Sequence, residues 1–359
     1  MSKRSVVALD AMGGDGGPAM VVSGVVVACE RYPDLDVLLF GDEARIKPLL
    51  DARPGLKGRA EIRHTDQAIG SDDQPAQALR RGRQSSMRLA INAVKDGDAQ
   101  GVLSAGNTGA LMAMAKFVLK TQSDIDRPAM ISFFPTIRGE SAMLDLGANV
   151  KCDAENLVQF AIMGAACARI ELGIKRPTVG LLNVGVEDAK GNETVKLAGQ
   201  MLRDGDFAFD FYGFVEGDHI GEGTVDVFVT DGFSGNVALK TAEGIARLYS
   251  SFLRESFQSS WLSKLGYLLA KPALNRLKAK VDPGAYNGAV FLGLNGVVVK
   301  SHGGTDAIGF ANAIGVAVDM VRSDFAERIS RDLHHDGVEP ENSVMPESVA
   351  EPENSTKVV

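Results

Sequence analysis

Residues 178–193 read TVGLLNVGVEDAKGNE, and this stretch indicates the class of fold. Its first five residues, 178–182, form an apolar run with the length of a buried strand. The loop that follows holds glycines among amide, carboxylate and ammonium side chains. An open α/β sheet binds its ligand in loops at the carboxyl ends of strands, so residues 183–193 are a candidate binding loop.

A second loop of the same chemistry, residues 231–236, follows the apolar run 225–230 and leads into a helical pattern. Glycines let the backbone approach a ligand closely, and amides at the start of a helix can bind an anion. We therefore interpret the two loops as parts of one site for phosphate or carboxylate. The alternative is a pair of ordinary strand-to-helix turns, since Gly, Asn and Asp are turn residues.

Short aliphatic runs alternate with longer helical patterns elsewhere, which predicts an α/β fold with a mainly parallel sheet and helices on both faces. The predicted strands are residues 5–9, 36–40, 60–63, 101–103, 129–134, 141–146, 178–182, 207–215, 225–230 and 296–300. We expect one α/β domain, residues 1–333, with a protruding helical excursion at about 245–280. Residues 334–359 are rich in proline, acid and serine, which predicts a disordered acidic tail.

Composition excludes several classes of function. A formal charge of −8 argues against nucleic acid as a partner, because neutralising phosphates requires a basic surface. Cys29, Cys152 and Cys167 form no CxxC pair and lie near no histidine at metal spacing, which predicts a reducing compartment and no metal site. The start of the chain lacks the apolar core of a signal peptide and no 18-residue apolar run occurs, so we expect a cytoplasmic location.

The glycine-rich segment 10–18 follows the first predicted strand and includes Asp10, Gly13, Gly14 and Asp15. Its glycine spacing does not fit a dinucleotide-binding fingerprint. Either a phosphate-contacting loop or a plain tight turn is expected there. No Gly-Lys dipeptide occurs in the chain, so a P-loop is excluded.

Three more positions allow both a binding and a structural interpretation. Asn107 and Thr108 lie between glycines after strand 101–103, where Thr108 can cap the next helix. Asn149 closes a similar loop after strand 141–146. His302 follows strand 296–300 and either contacts a substrate or caps a turn.

Taken in order, these motifs resemble the bacterial phosphate acyltransferase family of phospholipid synthesis over residues 5 to 330. The segments that carry the resemblance are 8–15, 104–109, 144–149, 183–193, 231–236 and 296–303. The resemblance implies an isocitrate/isopropylmalate-dehydrogenase-like or phosphotransacetylase-like fold, a homodimer and a reaction without a cofactor. Residues 286–293 depart from the usual family pattern, which affects the expected shape of the acyl entrance.

The resemblance also implies site residues, with Lys190 and Asn236 at family active-site positions. The ammonium group can hold phosphate, and Asn183 and Asn236 can supply directed hydrogen bonds. Asp231 or Glu187 is expected to accept the phosphate proton. The predicted substrate-binding residues are Asp10, Gly13, Gly14, Asp15, Asn107, Thr108, Asn149, Asn183, Glu187, Asn192, Ser234 and His302.

The partners implied by the resemblance are acyl-acyl carrier protein, inorganic phosphate, a downstream glycerol-3-phosphate acyltransferase and the membrane surface. The excursion supports either a membrane-surface helix or a helix that packs on a second subunit, because Phe257, Trp261, Leu265 and Leu268 recur at helical spacing. Other functions remain open: a short-chain phosphate acetyl- or butyryltransferase using coenzyme A, a dehydrogenase on the related fold, or a non-catalytic scaffold at the membrane.

Overall fold

A computed structural model describes residues 4–281 and 284–334 of the chain. In these residues the strands form a single mixed sheet of eleven members. They are β1 (Ser5–Asp10), β2 (Leu35–Gly41), β3 (Ala60–His64), β4 (Gly101–Ser104), β5 (Ala129–Thr136), β6 (Gly139–Leu144), β7 (Thr178–Leu182), β8 (Asp210–Val215), β9 (Val227–Val229), β10 (Ala289–Leu292) and β11 (Val297–Lys300). Their order across the sheet is β3-β2-β1-β4-β11-β10-β5-β6-β9-β7-β8.

Helices connect most of the strands. They are α1 (Gly17–Arg31), α2 (Glu43–Asp51), α3 (Pro75–Arg81), α4 (Ser86–Asp96), α5 (Thr108–Leu119), α6 (Ala154–Glu171), α7 (Glu193–Asp204), α8 (His219–Glu222), α9 (Gly232–Gln258), α10 (Trp261–Val281), α11 (Ala307–Arg322) and α12 (Phe325–His334). Most residues of the predicted tail, 335–359, lie outside the described part of the chain.

The direction of the strands divides the sheet into two halves. The strands β1, β2, β3, β4 and β11 are mutually parallel, and β6, β9, β7 and β8 are parallel to one another. Between the halves, each step from β11 to β10, β5 and β6 is antiparallel. Three reversals leave the second half running opposite to the first. The pairing registers bring the ends of these strands into one row, which runs through Leu9, Leu103, Val299, Val290, Ile131, Leu144, Val229 and Leu181. The carboxyl ends of β1, β4 and β11 therefore meet those of β6, β9 and β7 at one level of the sheet, from opposite directions.

Helices cover both faces of the sheet because side chains along each strand alternate between them. On β1, Val7 and Leu9 belong to one apolar core, whereas Ala8 belongs to the other. The first core includes buried side chains of α1, α6 and α11, and the second includes those of α4 and α5. The predicted class, a mainly parallel sheet with helices on both faces, is confirmed.

All ten predicted strands are present, with changes at some ends. The predicted strand 207–215 begins only at Asp210, and before it the carbonyls of Phe207 and Phe209 accept hydrogen bonds from the Arg176 guanidinium instead of from a neighbouring strand. The strand β10 was missed, since four apolar residues carry too little period to identify a strand. It pairs with β5 and β11 and supplies two of the three antiparallel steps.

The predicted helical excursion is present as the pair α9 and α10, and α9 begins earlier than expected, at Gly232. Only Gly232 and Gly235 of α9 are buried. The two helices meet where Phe257 packs edge-on against Tyr267, with ring centres 5.4 Å apart. Among the described helices, none is long and apolar enough to cross a membrane.

Candidate active site

The loops at the carboxyl ends of β6 and β9 are held in contact by hydrogen bonds that centre on the buried carboxylate of Asp145 and on Asn149. Asp145 accepts hydrogen bonds from the backbone N–H groups of Met130, at 3.0 Å, and Asn149, at 2.6 Å. The side-chain amide of Asn149 also donates to the Asp145 carboxylate, at 2.9 Å. The backbone carbonyl of Asn149 accepts a hydrogen bond from the Gly232 N–H. Burial raises the pKa of Asp145 and these donors lower it. Asn149 therefore organises the loop, and its amide is committed to that task.

The first turn of α9 fits tightly against this loop. A Cβ at Gly235 would lie 1.9 Å from the carbonyl oxygen of Asp145, so only glycine allows the approach. Asp231 caps the helix, because its carboxylate accepts from the Ser234 N–H at 2.7 Å and from the Ser234 hydroxyl at 3.2 Å. Both predicted residues, Asp231 and Ser234, thus set the position of the helix start.

Asn236 lies on this first turn with an exposed side chain. A Cβ added to Gly147 would sit 3.6 Å from the Asn236 side-chain oxygen, which places the amide over the Asp145 loop. Within residues 4–281 and 284–334 the Asn236 amide takes part in no hydrogen bond. Its donor and acceptor are therefore available to a ligand.

The loop 183–193 follows β7 and lies next to the start of the loop after β9, because β7 pairs directly and in parallel with β9. The Asn183 amide donates to the carbonyls of Gly185, at 3.1 Å, and Lys190, at 3.2 Å, and so closes the loop on itself. Lys190 is exposed and pairs with Glu187 at 3.8 Å. Asn192 caps α7 through a bond from the Val195 N–H. The loop thus presents Lys190 and Glu187 to solvent beside the start of α9.

The glycine-rich loop after β1 belongs to the other half of the sheet, at the level where β6 and β9 end. Asp10 is buried, and its carboxylate accepts from the hydroxyls of Ser86, at 2.6 Å, and Ser104, at 2.7 Å. A Cβ at Gly13 would lie 2.7 Å from the Gly106 nitrogen, so the loops after β1 and β4 pack backbone on backbone. Gly14 has a φ of +83° and lies against Ala105 and Gly303, and the exposed Asp15 donates its N–H to the Gly303 carbonyl.

Asn107 performs the capping that was expected of Thr108. Its side-chain oxygen accepts from the Ala110 N–H at 3.0 Å, while its amide donates to the carbonyls of Ser71 and Asp73. Thr108 is the first residue of α5 and is half-buried. Asn107 therefore joins the loop 70–73 to the start of α5.

Helix α9 connects the two halves of the sheet. It starts at the Asp145 loop and carries Glu243 to the loop after β11, where the carboxylate lies 4.0 Å from His302 Nε2. Glu243 also pairs with Lys240 at 2.9 Å and with Arg247 at 3.8 Å. Burial and the charge of Lys240 lower the pKa of His302, and Glu243 acts in the opposite direction. His302 thus faces a cleft between the two halves of the sheet.

Sequence reasoning missed Lys300, the last residue of β11, which is 9% exposed. Its ammonium group donates to the carbonyls of Ala105, at 3.4 Å, and Ser301. Burial and the nearby charge of Lys240 lower the pKa of Lys300 to about 8. The usable signal was a lysine that ends a wholly apolar strand and precedes a glycine-rich loop.

The segment that departs from the expected family pattern supports the same loop. Asn287 is buried, accepts from the His302 N–H at 2.8 Å and donates to the Ser301 hydroxyl at 2.8 Å. Its amide also donates to the Gly309 carbonyl at 2.7 Å.

In the described residues no group of His, Cys, Asp and Glu side chains is arranged to hold a metal ion.

Comparisons with known proteins agree with this architecture. A protein-family model described as "Fatty acid synthesis protein" matches residues 5–328. The chain is 62% identical to a phosphate acyltransferase of Rhodospirillum centenum, over 93% of this chain and 94% of that protein. It is 57% identical to a phosphate acyltransferase of Paramagnetospirillum magneticum, over 93% of this chain and 95% of that protein.

Solved structures with the same fold are more distant in sequence. A phosphotransacetylase from Streptococcus pyogenes superposes with a TM-score of 0.57 at 17% identity, over 93% of this chain and 96% of that one. The EutD phosphotransacetylase from Staphylococcus aureus gives a TM-score of 0.54 at 17% identity, over 89% of this chain and 94% of that one. The phosphotransacetylase-like fold is therefore confirmed.

Proposed function

The chain belongs to the phosphate acyltransferase family of transferases, and we propose that its donor is long-chain acyl-acyl carrier protein. Inorganic phosphate accepts the acyl group, and the product acyl phosphate is consumed by a downstream enzyme that acylates glycerol 3-phosphate in phospholipid synthesis. The observation that carries the proposal is that an exposed ammonium, Lys190, and an uncommitted amide, Asn236, follow the carboxyl ends of two adjacent parallel strands, β7 and β9.

The proposed reaction requires groups that bind and orient the substrates and one group that accepts a proton, with no covalent enzyme intermediate. An oxygen of phosphate attacks the thioester carbonyl carbon, a carbon–oxygen bond forms, and the carbon–sulfur bond then breaks to release the carrier thiolate, which takes up a proton. Lys190 holds the phosphate dianion, since a compact ammonium is a strong point charge. The Asn236 amide donates to the oxyanion that develops on the carbonyl oxygen.

The contacts of the two predicted bases support different roles for them. Asp231 uses both carboxylate oxygens to hold Ser234, so we propose that it positions Asn236. Glu187 is exposed and lies 3.8 Å from Lys190, beside the proposed phosphate position. We therefore propose Glu187 as the acceptor of the phosphate proton.

The α9–α10 pair supports a peripheral, dimeric protein that works in the cytoplasm at the membrane surface. Its exposed apolar side chains include Phe233, Val237, Ile245, Leu248, Tyr249, Phe252, Trp261, Leu262, Leu265, Tyr267, Leu268, Leu269 and Leu277. Such a large apolar surface is uncommon on a free monomer. We call the part of α9 that carries Ile245 and Leu248 the shaft, and we propose that a second subunit covers it. We propose that the turn near Trp261 contacts lipid, where a long-chain acyl phosphate would be delivered.

One experiment tests the donor. The purified protein is mixed with inorganic phosphate and palmitoyl-acyl carrier protein, palmitoyl-coenzyme A or acetyl-coenzyme A, and acyl phosphate is trapped with hydroxylamine. The proposal predicts fastest product formation with palmitoyl-acyl carrier protein. Faster reaction with acetyl-coenzyme A assigns the short-chain activity instead, and no product from any donor overturns catalysis.

A further inference from the structure

We infer that Lys240, Lys300 and His302 form a second binding site for a phosphate group, in the cleft between α9 and the loop after β11. We call these three residues the Lys300 cleft. The inference rests on the proposed function, because the two substrates of that reaction supply the phosphate chemistry. It places a polar part of the active site at the carboxyl end of β11, at the level of the sheet where β7, the strand before Lys190, also ends.

The burial of Lys300 is the first argument. A charged amine that is 9% exposed loses most of its hydration and needs a partner to compensate. Its hydrogen bonds within the described residues go only to the carbonyls of Ala105 and Ser301. Among residues 4–281 and 284–334 no carboxylate forms a salt bridge with it, and the Asp10 carboxylate is bound to two serine hydroxyls.

The second argument is that the cleft has a cation on each wall. Lys240 projects from α9 and acts on Lys300 and His302 strongly enough to lower the pKa of both. The carboxylates of Asp10 and Asp15 offset only part of this repulsion on Lys300. A phosphate dianion between the two ammonium groups would remove the repulsion and provide charge-assisted hydrogen bonds.

The cations around Lys300 are held in place by local contacts. His302 Nδ1 accepts from the Gly304 N–H at 3.1 Å, which fixes the ring and directs Nε2 toward Glu243. Glu243 in turn holds Lys240 and Arg247, at 2.9 and 3.8 Å. The side chain of Glu243 is only 12% exposed, so it is a fixed ion-pair partner for Lys240 and Arg247.

The position of the cleft along α9 limits the source of the phosphate group. Lys240 follows Asn236 by one helical turn, about 6 Å along the axis, and Arg247 lies about 16 Å beyond Asn236. A phosphate there is either inorganic phosphate that enters beside the thioester, or the phosphodiester at the far end of the pantetheine arm that bears it. Both sources present the same chemistry to the two lysines.

Calorimetric titration of the full-length protein tests the site and identifies the source. The probes are inorganic phosphate, 4′-phosphopantetheine, and pantetheine, which lacks the phosphate. The variants are Lys240→Gln and Lys300→Met, with Arg254→Gln as a matched control, because Arg254 is an exposed cation further along α9. Lys240 is exposed, so its variant is expected to fold even if removal of the buried Lys300 perturbs the protein.

We expect both variants to bind one phosphate-bearing probe at least about tenfold more weakly, while Arg254→Gln binds it normally. Weakened binding of 4′-phosphopantetheine with unchanged pantetheine assigns the cleft to the carrier arm. Weakened binding of inorganic phosphate assigns it to the acyl acceptor. The inference is overturned if the wild-type protein binds neither phosphate probe, or if Lys240→Gln weakens neither probe more than Arg254→Gln does.

The hydroxylamine assay separates this inference from the proposed function. A wild-type protein that transfers acyl groups but whose variants bind both probes normally retains the function and loses the cleft. A wild-type protein that binds phosphate through the cleft but makes no acyl phosphate retains the cleft and loses the function.

Discussion

His302 Nε2 lies 4.0 Å from the carboxylate of Glu243, and this contact joins the two oppositely directed halves of the sheet. His302 follows β11 of the first half, whereas Glu243 belongs to α9, which begins at the end of β9 in the second half. The two halves run in opposite directions and their carboxyl ends meet at one level of the sheet, so loops of both halves face each other there. Helix α9 contacts both sets of loops, at Asp145 through Gly235 and at His302 through Glu243.

Our first prediction concerns the two groups that remain available to a ligand. Lys190→Ala and Asn236→Ala should each lower kcat/KM for acyl transfer by about 10²- to 10³-fold, since each removes a donor to phosphate or oxyanion. Both side chains are exposed, so melting temperature and circular dichroism should not change. The control is Lys196→Ala, which removes a lysine of α7 that pairs with Glu193. Near-wild-type activity in either variant would remove that residue from the mechanism.

The contact between α9 and Asp145 gives the second prediction. Gly235→Ala should strongly destabilise the protein and lower activity, because its Cβ would lie 1.9 Å from a backbone oxygen and the helix start must shift. Gly244 lies on the same helix with no atom within 4 Å of an added Cβ, so Gly244→Ala should stabilise by about 0.5–1 kcal/mol. Urea unfolding of both variants measures the difference, and similar effects from the two substitutions would contradict the tight fit.

The third prediction follows from the lowered pKa of Lys300. The folded protein loses this proton near pH 8, whereas the unfolded chain keeps it until about pH 10.5. The unfolded state therefore binds more protons in this interval, and the contribution of Lys300 makes the free energy of unfolding rise with pH from about 8 to 10.5. The charges facing Lys300 are Lys240, Asp10 and Asp15.

Lys300→Met should remove this rise, because methionine does not titrate. Urea unfolding of wild type and variant between pH 7.5 and 10 gives the two slopes, and the Lys240→Gln variant should shift the rise to higher pH. Parallel curves for wild type and Lys300→Met would show that the lysine keeps an ordinary pKa.

The sequence identified the parts of the site better than their arrangement. The loop 183–193 could be predicted because an apolar strand precedes it. The loop 231–236, which contains Gly235 and Asn236, could be predicted for the same reason. The meeting of the loops from the two halves was not evident, because it depends on the direction and register of β10, four residues long, which supplies two of the antiparallel steps. Several predicted binding residues, such as Asn107 and Asn192, are caps, since capping and anion binding favour the same residue types.

Docking of an acidic carrier protein is the subject of the fourth prediction. The segment 80–88 carries Arg80, Arg81, Arg83 and Arg88, and Arg88 stacks 5.1 Å from the centre of the Phe117 ring. If docking is electrostatic, the KM for acyl-acyl carrier protein should rise with salt more steeply than the KM for phosphate. Arg81→Gln should reduce this salt dependence. A KM for the carrier that does not respond to salt would exclude this patch, and also the one formed by Lys271 and Arg276 on α10.

The last prediction separates the two surfaces that the α9–α10 pair offers. Trp261 and Leu268 are 73% and 68% exposed, and both lie on α10, which begins directly after the turn between the helices. An interfacial helix carries tryptophan at the boundary between lipid and water, so these side chains are placed to enter a bilayer. Residues of the shaft, such as Ile245 and Leu248, are also exposed and are the ones proposed to meet a second subunit.

Replacement at the turn and replacement on the shaft should therefore have different effects. Trp261→Glu with Leu265→Glu should abolish co-sedimentation with anionic liposomes while the dimer persists in analytical ultracentrifugation. Ile245→Glu with Leu248→Glu should yield monomers, because a charge on each copy would be buried without a partner. Should the turn variant become monomeric or unfold, its apolar side chains stabilise the protein instead, and the proposed contact with lipid would be wrong. A lipid contact would also be contradicted if the turn variant sediments with liposomes as the wild-type protein does.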